Sequence, residues 1–252
     1  MRALPPLTLC YHAISGSWDT SLAIPLDRLE VQLRRFAGRG YVGLTFEEAE
    51  RRRQAGTLPS RTLVVTFDDA FASIATARPV LRELGYPASV FVVGDFLESP
   101  RPLEWPGIEH WQQTEHRSEL RMLSEQELRE LQDEGWEIAS HTMTHPSLPE
   151  LDDDDCLREL VRSRQLIAER FGACSTVAYP YGRADARVAS LAARAGYLGA
   201  CTLTYSHVLD EPFRRPRVAV SGTDSVPSEW AKMTPLAVRL RRTPLASLLA
   251  RF

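Results

Sequence analysis

Cysteine is scarce and unpaired in this chain. Cys10, Cys156, Cys174 and Cys201 form no CxxC pair. Their spacing excludes a zinc knuckle or a disulfide-stapled secreted scaffold, so they are expected as buried thiols. Long apolar runs are missing as well. The N-terminal segment ending at Tyr11-His12 is too short and too rich in proline for the core of a signal peptide, and no stretch approaches membrane-spanning length. The expectation is a cytoplasmic protein. There is no excess of positive charge: the net charge is −3, which argues against a nucleic-acid partner. Neither a GxxxxGK[ST] nor a GxGxxG phosphate loop occurs, and no internal repeat or low-complexity tract is found.

What is present is the composition of an ordinary globule. Of 252 residues 44% are apolar and 25% charged, and a chain of this length buries a full core without staples. Short apolar runs alternate with amphipathic segments. Strands are expected at Thr8–Tyr11, Thr62–Phe67, Ala88–Val93, Trp136–Ala139, Thr176–Tyr179, Gly199–Leu203 and Arg217–Val220. Helical patterns cover Leu26–Gly38, Phe46–Gln54, Ser73–Leu84, Ser124–Glu134, Asp155–Phe171 and Ala184–Ala195. Alternating β and α units imply a parallel sheet with right-handed crossovers. The fold class is α/β, a distorted (β/α)7-type barrel in a single domain over 1–252, with an open doubly wound sheet as the rival. Ser124 and Glu127 fit a capping box, and Asp152–Asp155 reads as an acidic helix start. Residues 95–122 form an irregular insertion rich in Pro, Trp, Glu and His, the composition of a binding loop. Residues 223–252 form a basic amphipathic tail, a candidate for peripheral membrane contact.

Chemistry gathers at three strand ends. Thr66-Phe67-Asp68-Asp69 closes the most apolar strand. Two adjacent carboxylates repel unless a cation occupies one and leaves the other free as a base. His141-Thr-Met-Thr-His145 follows the strand at Trp136–Ala139, and an i,i+4 pair of histidines can face one side of a helical turn. Two His and one Asp suit Zn²⁺ with an open position, and equally Co²⁺, Ni²⁺, Mn²⁺ or Fe²⁺. A non-haem iron oxygenase uses the same ligand types, but on an antiparallel jelly roll rather than a parallel α/β fold. Tyr179-Pro180-Tyr181-Gly182 is a sharp turn, able to present a backbone N–H to an oxyanion.

In this order and spacing the three segments resemble the first three motifs of the polysaccharide deacetylase family, the NodB-homology domain of carbohydrate esterase family 4. The resemblance spans about residues 7–222. It implies a distorted barrel, a divalent metal, most simply Zn²⁺, and hydrolysis of N-acetyl groups on a glycan substrate. Asp68 then resembles the catalytic base, and Asp69, His141 and His145 the metal ligands. The backbone of Tyr181 resembles the oxyanion donor. Two departures stand out. Where many members carry an arginine that steadies the base, this chain has Ala178, and Arg183, Arg215 or Arg217 must substitute; Arg217 is preferred because it opens a strand. The late Leu-x-His motif that supplies the general acid is absent. Leu9-Cys10-Tyr11-His12 instead resembles the N-terminal segment of the exopolysaccharide deacetylase branch, which assigns the acid to His12, with His110, His116 and His207 as rivals. Base and acid in opposite protonation states predict a bell-shaped pH profile. Tyr179, Pro180, Trp105 and Trp111 are expected to contact the sugar, with Trp136 more at home in the core. The alternatives are a deacylase of another C–N amide bond and a carbohydrate-binding relative without catalysis.

Overall fold

The computed structural model describes residues 6–98, 100–203 and 211–234. Its elements run β1 (Leu7–Tyr11), β2 (Ala13–Ile14), β3 (Ala23–Ile24), α1 (Leu26–Ala37), β4 (Val42–Leu44), α2 (Phe46–Gln54), β5 (Thr62–Phe67), α3 (Arg78–Leu84), β6 (Ala88–Val92) and α4 (Gly94–Glu98). They continue with α5 (Glu125–Asp133), β7 (Glu137–Ser140), α6 (Asp153–Phe171), β8 (Thr176–Ala178), α7 (Ala186–Arg194), β9 (Gly199–Thr202), β10 (Arg215–Pro216), β11 (Val218–Ala219) and α8 (Val226–Lys232). The main sheet runs β10-β9-β8-β7-β6-β5-β1-β11, with β4 beside β5, and every pairing is parallel.

The two ends of that sheet are one piece of chain. Residues 215–216 pair with β9, the Arg217 N–H bonds Thr202 O at 3.0 Å, and residues 218–219 pair with β1. A five-residue segment therefore changes neighbours at Arg217 and nearly closes the barrel. The open doubly wound rival is thereby set aside.

Period-two alternation divides the strands into an outer and an inner face. Outward residues such as Leu9, Tyr11, Val65, Phe67, Val90, Ile138 and Val177 join the large core beneath the helices. Inward residues Val64, Phe91, Ala139, Ala178 and Cys201 form a separate small cluster inside the barrel. The four cysteines are buried free thiols, as composition implied.

Local signals largely hold. Ser124 and Glu127 form the reciprocal capping box that starts α5. Asp152 caps α6 by accepting from the Asp155 N–H at 2.8 Å, so the acidic run is a helix start. The predicted helix over Ser73–Leu84 is instead a 3₁₀ turn, Ala72–Ala77, followed by α3. Pro79 explains the break, since it suits the first turn of a new helix and not the interior of one. Among the described residues of 95–122, the end of α4 is followed by two 3₁₀ turns, Glu109–Gln113 and Glu115–Leu120, and an isolated bridge from Met122 to Phe71. No helix among the described residues is long and apolar enough to cross a membrane. Residues 235–252 of the predicted basic tail lie outside the described residues, as does His207.

Candidate active site and metal centre

The C-terminal ends of β1, β5, β7 and β8 open into a cleft of about 360 Å³. Its lining includes His12, Asp68, Asp69, His141, His145 and Tyr181, with Trp105, His110 and Trp111 from the insertion. Alternation explains the convergence. Cys10 and His12 share the inward parity of β1, Thr66 and Asp68 that of β5, and Ala139 and His141 that of β7.

Asp68 is buried, and Arg217 grips it with Nη1 to Oδ1 at 2.6 Å and Nη2 to Oδ2 at 2.7 Å. Arg217 Nη1 also donates to Thr66 Oγ1 at 3.0 Å, whose hydroxyl donates to Leu9 O at 2.9 Å. The Cys10 thiol lies 3.4 Å from Asp68 Oδ2 and donates to it; burial pushes that thiol well up, so it stays a donor. Burial by itself would raise the Asp68 carboxyl, but the Arg217 guanidinium and His141 outweigh it and hold the group well below the usual carboxylate range. Arg183 pairs with Glu150 at 2.8 Å on the surface, and Arg215 with buried Glu50 at 2.9 Å. Of the three candidates for the missing arginine, Arg217 alone reaches Asp68. The small side chain of Ala178 shares the barrel interior with Phe91, over whose ring the Arg217 guanidinium sits at 5.4 Å.

Beside Asp68, the side chains of Asp69, His141 and His145 each offer a ligand atom, all within 4.8 Å of one another. His141 Nε2 and His145 Nε2 stand 3.3 and 3.5 Å from Asp69 Oδ1. That oxygen is buried without a hydrogen-bond partner, and so is His145 Nδ1. Orphaned buried polar atoms are costly. Here they belong to a two-His, one-Asp donor set, so the residues fit a divalent cation. Burial, reinforced by His141, drives His145 down to about 3 against the pull of Asp69. It is therefore neutral at ordinary pH, the form that ligates metal. His141 Nδ1 faces Ala178 O at 2.8 Å, which turns Nε2 toward the aspartates.

The histidine pair is not carried on a helical turn. Residues 141–145 form a loop with Thr142 at φ 67° and His145 at φ 61°. Its backbone is held by Glu159, which accepts from the N–H groups of Met143 and Thr144, each at 2.9 Å. Asp69, Ala70 and Tyr181 are the other non-glycine residues at positive φ among those described. Four of the five lie in the three motifs, and Ala70 directly follows the first. Such backbone costs about 1–3 kcal/mol per residue and persists where the surrounding packing over-determines it, typically at functional sites. Gly182, at φ 64°, follows Tyr181 because a Cβ there would sit 2.2 Å from Leu203.

The predicted sugar contacts divide. Trp111 lines the cleft half-buried, against His110 at 4.6 Å. Trp105 also lines it but is buried and lies 4.2 Å from the His145 ring, so it packs on a candidate ligand as well as forming a wall. Tyr179 is a correction. It is fully buried in the outer core, with its hydroxyl donating to Phe213 O at 3.0 Å, because outward parity on β8 points it away from the cleft. Pro180 is likewise buried and does not line the cleft. Trp136 is core, stacked on Phe67. Among the rival acids, His110 lines the cleft, whereas His116 packs edge-on to Trp111. The cleft also draws on Thr20, Ser21, Leu22 and Leu203, which no motif singles out.

Comparison with known proteins agrees with this architecture. The family model described as polysaccharide deacetylase matches residues 55–200. "Putative polysaccharide deacetylase YxkH" of Bacillus subtilis (strain 168) is 28% identical over 192 residues, covering 75% of this chain and 61% of that protein. This chain thus spans under two thirds of that relative's length. Among solved structures, the Streptococcus pyogenes deacetylase PplD in complex with acetate superposes with a TM-score of 0.72 at 20% identity, covering 92% of this chain and 98% of that one. IcaB from Ammonifex degensii gives 0.69 at 21% identity, covering 95% and 97%. At such identities these two structures share the fold. With the family model matched over most of the barrel, the chain belongs to the polysaccharide deacetylase family, that of the NodB-homology domain.

Proposed function

We propose that the protein is a metal-dependent hydrolase that removes acetyl groups from N-acetylhexosamine units of a polysaccharide, oligosaccharide or lipid-linked precursor, nearest in kind to the exopolysaccharide deacetylases. Residues 1–252 are taken as one catalytic domain. The observation that carries the reading is the adjacency of Asp69, His141 and His145, a metal-ligand set with an orphaned carboxylate oxygen, to an ionised Asp68 clamped by Arg217.

Asp69, His141 and His145 would hold a divalent cation, which would supply the positive charge needed to activate water at neutral pH and to polarise the acetyl carbonyl. Asp68 takes a proton from the attacking water. Arg217 occupies one lone pair on each oxygen and the Cys10 thiol the second on Oδ2, so a lone pair on Oδ1 stays open and the clamp orients the base without exhausting it. The Tyr181 N–H donates to the oxyanion that develops on the carbonyl oxygen. His12, on the cleft wall beside Asp68, delivers a proton to the departing nitrogen, releasing acetate and a free amino sugar. Trp111 offers a face for a pyranose ring.

The test is acetate release from a panel of N-acetylated glycans, with the protein stripped by chelator and reloaded with Zn²⁺, Co²⁺, Ni²⁺, Mn²⁺ or Fe²⁺. Activity that appears only after reloading, on amino-sugar acetamides, supports the proposal. Full activity after stripping, or none on any glycan, overturns it.

A further inference from the structure

A second depression, of about 300 Å³, lies away from the catalytic cleft, between the C-terminal ends of α1 and α8. Arg35, Phe36, Arg39, Tyr41, Trp230 and Met233 are among its lining residues. Tyr41 directly precedes β4, and neighbouring Arg61 directly precedes β5. In a parallel barrel these positions mark the end opposite the catalytic residues, which follow the strands.

The charge here is one-sided. The Arg35 guanidinium sits 3.9 Å over the Trp230 ring. Arg61 Nη1 donates to the backbone of Arg39. Among the described residues none of these three arginines has a carboxylate partner, whereas the neighbouring charges are taken. Arg34 binds Glu30 and Glu83, and Lys232 binds Asp224. Apolar side chains flank the arginines. Val31 lies one helical turn before Arg35, and Val226 one turn before Trp230; they are 61% and 58% exposed. Val42, next to Tyr41, is exposed too. The chain then continues from Thr234, on the rim of the depression, into residues 235–252. That segment holds Arg239, Arg241, Arg242 and Arg251 among leucines and no acidic residue, in a protein whose net charge is −3.

We propose that this face, formed by Arg35, Arg39, Arg61 and Trp230, binds the surface of an anionic lipid bilayer. Clustered arginines draw lipid phosphates, Trp and Tyr rings settle at the headgroup level, and exposed valines bury into the acyl boundary. The catalytic cleft then faces away from the bilayer, open to a polymer. The inference goes beyond the proposed reaction, and its test does not depend on that reaction.

The experiment is flotation of the full-length protein with vesicles of phosphatidylcholine alone or mixed with phosphatidylserine. The expected result is binding to the anionic vesicles only, weakened by salt. The paired change Arg35→Gln and Arg39→Gln lowers partitioning by about twenty-fivefold, near fivefold per charge. Trp230→Ala lowers it further. The arginine variant keeps its circular dichroism spectrum and hydrolyses a small soluble acetyl substrate as before. No binding to anionic vesicles, or equal binding to neutral ones, overturns the proposal. So does an Arg35/Arg39 variant that floats like the parent while Arg239→Gln/Arg241→Gln/Arg242→Gln does not, since the tail alone would then carry the contact. A concentration-dependent dimer that the Arg35/Arg39 variant abolishes would assign the face to a second copy instead.

Discussion

Arg217, on the segment that closes the barrel, makes a two-pronged contact with Asp68, at 2.6 and 2.7 Å, on the strand five positions away in the sheet's linear order but two away around the ring. The pair is buried on both sides. Removing one partner of such a pair leaves a buried charge, at a cost of about 3–5 kcal/mol. Arg217→Ala is therefore expected to lower the unfolding free energy by about that much. It also removes the main influence holding Asp68 down, while burial still raises it. The acid limb of the rate profile should move to higher pH. Arg217→Lys keeps the charge but not the fork, and should fall between. Denaturant titrations and pH–rate curves of both variants check this; an acid limb unmoved in Arg217→Ala would detach Arg217 from the base.

For the metal centre, His141→Ala should remove both the bound cation and the activity. The rate should fall by more than the roughly 10–100-fold that loss of a supporting group costs at such sites. Elemental analysis beside the activity assay is the measurement, and full metal occupancy with full activity would refute the ligand assignment.

The acid assignment separates two substrates. His12→Ala is expected to slow deacetylation of an N-acetyl sugar by about 10²–10⁴-fold, because an amine leaves poorly without a proton. An activated acetyl ester, whose leaving group needs none, should be largely spared. Asp68→Asn should impair both. If His110→Ala shows the selective loss and His12→Ala does not, the proton comes from the insertion.

The two tryptophans should behave differently. Trp111→Ala is expected to raise KM for a long glycan more than for a small ester, as loss of uniform binding does. Trp105 packs on the His145 ring, so Trp105→Ala should also lower kcat and metal affinity. Steady-state kinetics on both substrates, with metal titration, distinguish them.

Inside the barrel, away from the catalytic cleft, Glu137 accepts from Ser89, Thr176 and the Glu47 N–H, and burial raises its carboxyl above the ordinary value of 4.5. The native state then keeps a proton that the unfolded chain releases. The stability from that proton is full below about 4.5 and is lost as pH rises through the folded value. Glu137→Gln should flatten that part of the curve of melting temperature against pH, and an unchanged slope would assign the dependence to other groups.

Much of this site is legible in one dimension because its parts are local. Thr66–Asp69, His141–His145 and Tyr179–Gly182 each combine chemistry with a strand end, and strand parity points Asp68 and His141 to the same interior. Parity also shows why Tyr179 is not a sugar contact: it has the outward register of Val177 on β8. Trp105 is harder to read, since nothing in its neighbourhood shows that it packs on His145. The bond of Cys10 to Asp68 and the hold of Glu159 on the histidine loop are not legible in the sequence, because each depends on a partner 58 or 15 to 16 residues away.

The sequence by itself determined the alternation of strands and helices and the caps, and it singled out the candidate ligands Asp69, His141 and His145 and the proposed base Asp68, because these follow from short-range pattern and side-chain chemistry. Only the tertiary structure decided which arginine serves Asp68. Arg183, Arg215 and Arg217 are chemically alike, and the choice rests on ring closure, which brings position 217 between β9 and β1 with its side chain turned inward. It likewise decided how two histidines on a non-helical loop face one carboxylate. That requires left-handed backbone at Thr142 and His145, a conformation unfavourable in isolation and held by the loop's contacts with Glu159 and the barrel.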